Sequence, residues 1–258
     1  MAGSMNKRLL FLISCVVCLA AWAGYERLIR PTPFERTFDD NLKGYPFAAE
    51  MVARDPSLRD LLLYRTETAF NKGGWIAANK ALDIALATEV QVYADDEHIN
   101  AITRAEAALL RDLANKPLAC RAFLFAGGMA DELLQAKPDD DILRSADRAA
   151  LRNGFDRRMS GVLWDKPAYT DVVNAWQALA RGPVAPLTGP ELIADANYID
   201  GDPQLACNAA IKEDQNLMAL SDAEAARIKR ILMSNGARID VPKVIAKVCI
   251  DNIGWSCP

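Results

Sequence analysis

Histidine is almost missing from this chain: His98 is the only one in 258 residues. That excludes zinc sites built on several imidazoles and leaves one residue that a serine–histidine–acid triad could use. No Gly-x-Ser-x-Gly elbow accompanies it. The glycine pairs Gly73-Gly74 and Gly127-Gly128 lack the following Lys and Ser/Thr that make a phosphate cradle, and both read as turns. Basic clusters are absent too, and the net charge is −4. A nucleic-acid partner needs a basic face to displace counterions, so none is expected. Sustained Val/Ile alternation of the strand kind is nowhere found. Cofactor and metal motifs are lacking, and no cofactor or metal is expected. Asp195 and Asp200-Gly201-Asp202 superficially resemble a calcium loop. Counting from Asp195, however, position five is Ile199, position six is Asp200 and position twelve is Ala206, so the loop fails.

What is present begins with one long apolar run, from Leu9 to Ala23, behind Lys7 and Arg8. A basic entry and about fifteen apolar residues mark an export signal or a short membrane anchor. Ala21-Trp22-Ala23 supplies the small-x-small pattern of a cleavage site. Retention as an anchor needs roughly twenty apolar residues, and this run falls just short, with Tyr25 and Arg27 placed to sit at the interface. Leu12-Ile13-Ser14-Cys15 resembles a lipoprotein processing box, but few apolar residues precede the cysteine. The lysine and arginine ahead of the run favour a cytoplasmic N-terminus and an exported body. The expected location is therefore the cell envelope, facing the periplasm, either anchored in the inner membrane or released.

Cysteine usage fits that address. Cys15 and Cys18 belong to the apolar run. Cys120, Cys207, Cys249 and Cys257 remain, an even number in a compartment that permits disulfides. Of the three connectivities four cysteines allow, the favoured one pairs Cys249 with Cys257, stapling the C-terminal tail, and Cys120 with Cys207, tying two distant segments. The alternative is four buried thiols acting as small apolar residues.

The rest of the chain reads as helices with their caps. Asp55-Pro56 and Asp202-Pro203 are cap-plus-proline starts, and Thr188/Glu191 and Ser221/Glu224 have capping-box spacing. Leu58, Leu61 and Leu62 share one face, and Asn71-Lys72-Gly73-Gly74 stops that helix. Ala78, Leu82, Ala85, Leu86 and Val90 form the next stripe; Ile99, Ile102, Leu109, Leu110 and Leu113 form the one after. A helix over 142–153 is expected to close at Gly154. Another opens at Pro167 and buries Trp176. Val241, Val244, Ile245 and Val248 mark the last. The fold class is all-α, an irregular multi-helix bundle behind the N-terminal segment. Residues 1–30 are the signal or anchor with a short linker, and 34–182 the main helical domain. Residues 188–258 form a C-terminal helical subdomain packed on it, across the break from Gly182 to Pro190.

Chemistry then rests on carboxylates and exposed aromatics. Glu67, Glu106 and Glu132 sit in helical stretches where a groove might have raised one of them, although each reads first as a solvated helix-face acid. His98 reads as a first-turn residue capped by Asp95 or Asp96. Trp75, after a glycine pair, and Trp164, before Asp165-Lys166-Pro167, stand near helix ends where an interface anchor fits. The expected function is non-enzymatic: an exported or tethered helical protein that binds a protein partner in a bacterial-type envelope, as adaptor, inhibitor, immunity-type factor or assembly subunit. The membrane is a further partner if the N-terminal segment is kept. The competing expectation is a carboxylate-dependent hydrolase or lyase acting on an envelope polymer.

Overall fold

The computed structural model describes residues 31–45, 47–126, 137–196 and 202–234. Among them every regular element is a helix and none is a strand. The apolar run from Leu9 to Ala23 lies outside the described residues, as do Glu132, the Val241–Val248 stripe, Cys249 and Cys257. Among the described residues no helix is long and apolar enough to cross a membrane. The chain divides into two compact units, Met1–Gly44 and Tyr45–Pro258.

In the first unit, α1 (Pro33–Leu42) starts at a complete capping box. The Thr32 hydroxyl accepts from Glu35 N at 3.0 Å, and the Glu35 carboxylate accepts from Thr32 N at 2.6 Å. Two of the amides that a helix start leaves orphaned or flanks are thereby satisfied reciprocally.

The second unit opens with the Tyr45 turn and α2 (Ala48–Arg54), then α3 (Pro56–Glu89). The Asp55 carboxylate caps α3 by accepting from Leu58 N at 3.1 Å, with Pro56 in the first turn, as the sequence pattern predicts. The glycine pair breaks α3 without ending it. Gly73 and Gly74 leave helical geometry, and Gly74 takes φ +69°, a conformation glycine adopts without strain. The helix resumes at Trp75 and runs to Glu89, followed by a single 3-10 turn over Gln91–Tyr93.

Next come α4 (Asp96–Leu113), α5 (Pro117–Ala126), α6 (Lys137–Met159), α7 (Tyr169–Ala180), α8 (Gly189–Ala196), α9 (Pro203–Met218) and α10 (Asp222–Ser234). Helix α4 is central and packs against α5, α6, α9 and α10. Its apolar stripe is buried as the periodicity requires, with Ile99, Leu109 and Leu113 fully enclosed. Each such side chain contributes about 1.5–3 kcal/mol of burial free energy. Cys207 and Ala210 of α9 and Ala226 of α10 belong to this same core. The helices beyond the Gly182–Pro190 connection thus draw on the core that α4 organises.

Gly154 does not close its helix. Helix α6 runs on to Met159, with Gly154 buried inside it. A Cβ at 154 would lie 2.3 Å from the Val90 carbonyl oxygen, so the glycine is needed for close approach to the 3-10 turn rather than for a helix stop. The helix expected at Pro167 begins two residues later, at Tyr169, because the Asp171 carboxylate accepts from Ala168 N and makes Ala168 the cap.

Candidate functional site

Six segments of the second unit bring a polar cluster together. Tyr45 comes from the turn before α2, Asp83 from α3, Gln91 from the 3-10 turn, Glu106 from α4, Asp147 from α6 and Lys229 from α10. The Tyr45 hydroxyl donates to Asp83 Oδ1 at 3.4 Å, and Gln91 Nε2 donates to Asp147 Oδ1 at 3.2 Å. Lys229 Nζ forms a close ion pair with Glu106. Packing dictates this arrangement: α4 and α6 lie side by side, α10 crosses both α4 and the end of α3, and the 3-10 turn rests on α6.

The electrostatics follow from partial enclosure. Burial pushes the Asp147 carboxyl up to about 6. Its hydrogen bond from Gln91 and the Lys229 charge oppose the rise, while Glu106 and Asp83 add to it. Burial likewise pushes Asp83 up to about 6, against the Tyr45 hydrogen bond. Asp83 keeps open contact with solvent at its surface, so the effect there is softened; half-buried Asp147 is the more firmly held of the two. Tyr45 is driven up, first by burial and then by the Asp83 charge. Carboxyls that titrate near neutrality are able to take up and release protons at ordinary pH, the property a general acid or base requires.

The described residues that the sequence singled out lie elsewhere, Glu106 excepted. Trp75 stands 40% exposed just past the glycine break, its ring 4.8 Å from that of Phe70. Trp164 is half-buried in the segment between α6 and α7, and its Nε1 donates to Ser234 Oγ of α10 at 2.9 Å. Cys120 of α5 and Cys207 of α9 form a disulfide, with Cα atoms 5.8 Å apart and both residues fully buried in the α4-centred core. Glu67 lies part-exposed on the first half of α3. Asp95 caps α4: its Oδ1 accepts from His98 N at 3.0 Å and lies 2.7 Å from His98 Nδ1. Among the described residues no three of His, Cys, Asp and Glu converge to hold a metal ion.

Asp83, Asp147 and Tyr45 went unnoticed in the sequence. Asp83 had one signal, as the lone acid in the apolar stretch between Lys80 and Glu89. Asp147 had none, because Arg144 and Arg148 beside it mimic an ordinary solvated helix face. Comparison with family models, with curated proteins and with solved structures finds no match to this chain.

Proposed function

We propose that this protein is an exported or membrane-tethered helical component of a bacterial-type cell envelope, and that it binds a protein partner rather than catalysing a reaction. The observation that carries the reading is Trp75. A glycine in the left-handed region turns the chain there, and the large ring that follows is left 40% exposed beside Phe70. Exposed, rigid aromatic side chains anchor interfaces at low entropic cost. The buried Cys120–Cys207 disulfide supports an oxidising compartment. The run from Leu9 to Ala23 supplies the export signal or anchor. A photo-crosslinking residue at position 75 of the full chain, expressed in the envelope, tests the reading. One discrete protein adduct is expected, lost when Phe70 is changed to Ala. Turnover of peptidoglycan by the purified protein overturns it.

The polar cluster favours a second reading, a carboxylate-dependent hydrolase or lyase of an envelope polymer. Asp147 in its protonated form is the acid of that scheme, and solvent-open Asp83 is its base. Polymer cleavage that is abolished in both D147N and D83N supports it; a purified protein that cleaves no envelope polymer removes it.

A further inference from the structure

One connection in the second unit stands apart in how little holds it. Between α6 and α7 the chain runs through residues 160–168 with no helical turn after Gly161. The Val162 amide still donates back to Arg157 O, and the Ala168 amide to the Asp171 carboxylate. From Leu163 to Pro167 no backbone amide or carbonyl has a hydrogen-bond partner among the described residues. Leu163 is 88% exposed, while Val162 and Trp164 on either side turn partly inward. That alternation is the one an extended strand shows. The connection between α7 and α8 also exposes an apolar residue, Val184, but its backbone is held by Asn216 at Ala185.

An endopeptidase binds the chain it cuts as an extended strand, hydrogen-bonding the backbone and pocketing alternate side chains. A helix must first unwind for this; an exposed stretch with open backbone groups has nothing to break. Within the stretch one bond is favoured. Lys166 precedes Pro167, whose ring removes the amide hydrogen and crowds the residue before it. Trp164 is tethered, its Nε1 donating to Ser234 Oγ at 2.9 Å. Of the open side chains, Leu163, Asp165 and Lys166, only Leu163 gains from burial in an apolar pocket.

We propose that Leu163–Trp164 is a processing site, hydrolysed by an envelope endopeptidase whose primary pocket accepts a branched apolar side chain. The carbon–nitrogen bond breaks, and water supplies the oxygen of the new Leu163 carboxylate and a proton to the leaving Trp164 amine. The products stay together. Cys120 lies before the cut and Cys207 after it, so their disulfide joins residues 1–163 to residues 164–258. Lys229 still pairs with Glu106 and Arg230 with Ala94 O across the two pieces, and Ala210 and Ala226 stay in the α4-centred core. The processed protein is thus a two-chain molecule. Only the compartment in which the protease is met rests on the envelope reading.

Limited digestion of the purified full chain with subtilisin, a broadly specific endopeptidase, tests the geometry. Within residues 137–196 the first cut is expected between Leu163 and Trp164. The fragment beginning at Trp164 should leave its partner in gel electrophoresis only after reduction. L163D should slow that cut at least tenfold and leave the unfolding midpoint where it was, because the side chain stands almost wholly in solvent. A first cut in residues 182–188, fragments that separate without reductant, or L163D chain cut at the native rate overturns the proposal. In cells, chain recovered from the envelope and then reduced should yield a piece that begins at Trp164. Envelope chain that stays uncut overturns the processing alone. Chain confined to the cytoplasm overturns the envelope reading, and the assigned protease with it.

Discussion

Two sharp connections in this protein are held in different proportions by charged and neutral groups. Between α3 and α4, the carbonyls of residues 89–94 are gripped by arginines. Arg158 Nη1 donates to Glu89 O at 2.8 Å, Arg157 Nε to Tyr93 O at 2.8 Å, and Arg230 Nη2 to Ala94 O at 2.6 Å. Asn153 completes the grip by accepting from Asp95 N and donating to Asp95 Oδ2. Cations suit the carbonyls left over at the end of a helix, where the macrodipole is negative. Between α7 and α8 a neutral side chain makes most of the side-chain hydrogen bonds, beside a long contact from Lys212 Nζ to Pro186 O at 3.5 Å and a backbone bond from Leu187 N to Ala180 O at 2.9 Å. Asn216 donates to Leu179 O at 2.8 Å and to Ala185 O at 2.9 Å, and accepts from Ala185 N at 2.9 Å. Gly182 leaves room for it, since a Cβ there would fall 2.1 Å from Asn216 Cγ. The first connection distributes its grip over several charged groups and is tunable by salt and pH. The second centres on one residue and one vacancy.

That contrast is sharpest where the hold is single. N216A strands the part-buried carbonyl and amide of Ala185 and leaves Leu179 O only its bond from Gly182 N, and is expected to cost about 3 kcal/mol by urea unfolding, a loss that salt leaves unchanged. G182A should cost a similar amount, and the double variant G182A/N216A should fall well short of the sum, because removing Asn216 removes the clash. A fully additive double variant would break the one-residue account. Next in size is G154A, where the Cβ meets the backbone of Val90 instead of a movable side chain. A loss of about 2 kcal/mol is expected, and unlike G182A it should not be rescued by truncating a neighbour.

The distributed hold should yield less per residue. R157A and R230A are each expected to cost about 1–2 kcal/mol, with the loss shrinking in 0.5 M salt. A salt-independent loss would assign these arginines to packing rather than charge. The smallest effect has the opposite sign. D147N removes a half-buried charge while keeping an acceptor for Gln91, and should stabilise by about 1 kcal/mol at pH 7.5 and by almost nothing at pH 4.5. The carboxylates of Asp55, Asp95 and Glu191 are held below their ordinary values by hydrogen bonds and nearby cations that outweigh burial. Their stabilisation is present above the unfolded value and lost as pH falls through the folded one. Together with Asp83 and Asp147, which weaken the fold as pH rises through about 6, they place the stability maximum near pH 4–5.

The helices were legible because helix formation is local. Asp55-Pro56, Asp95 and Asp202-Pro203 cap where their side chains reach amides two or three residues on, and the stripe from Ile99 to Leu113 is buried as its period demands. Gly154 was misread for a reason that propensity rules do not contain. Its purpose is an approach to Val90, 64 residues earlier, and local sequence favours reading a glycine there as a stop. The break from Gly182 to Pro190 looked like a boundary because its glycines and prolines interrupt helices; nothing in it announces Asn216, far along α9. The polar cluster was illegible for the same reason, since Tyr45, Asp83, Gln91, Asp147 and Lys229 each look unremarkable among their neighbours.

By itself, then, the sequence determined where most of the helices lie and which faces they bury. Those properties follow from hydrogen bonds and side-chain periodicity within a few residues. Only the tertiary structure decided that Cys120 meets Cys207, that Gly154 and Gly182 are vacancies for other parts of the chain, and that Asp83 and Asp147 share one partly enclosed site. Desolvation and like-charge repulsion depend on what packs around a carboxyl, and the packing partners here arrive from segments up to 184 residues apart in sequence, Tyr45 to Lys229.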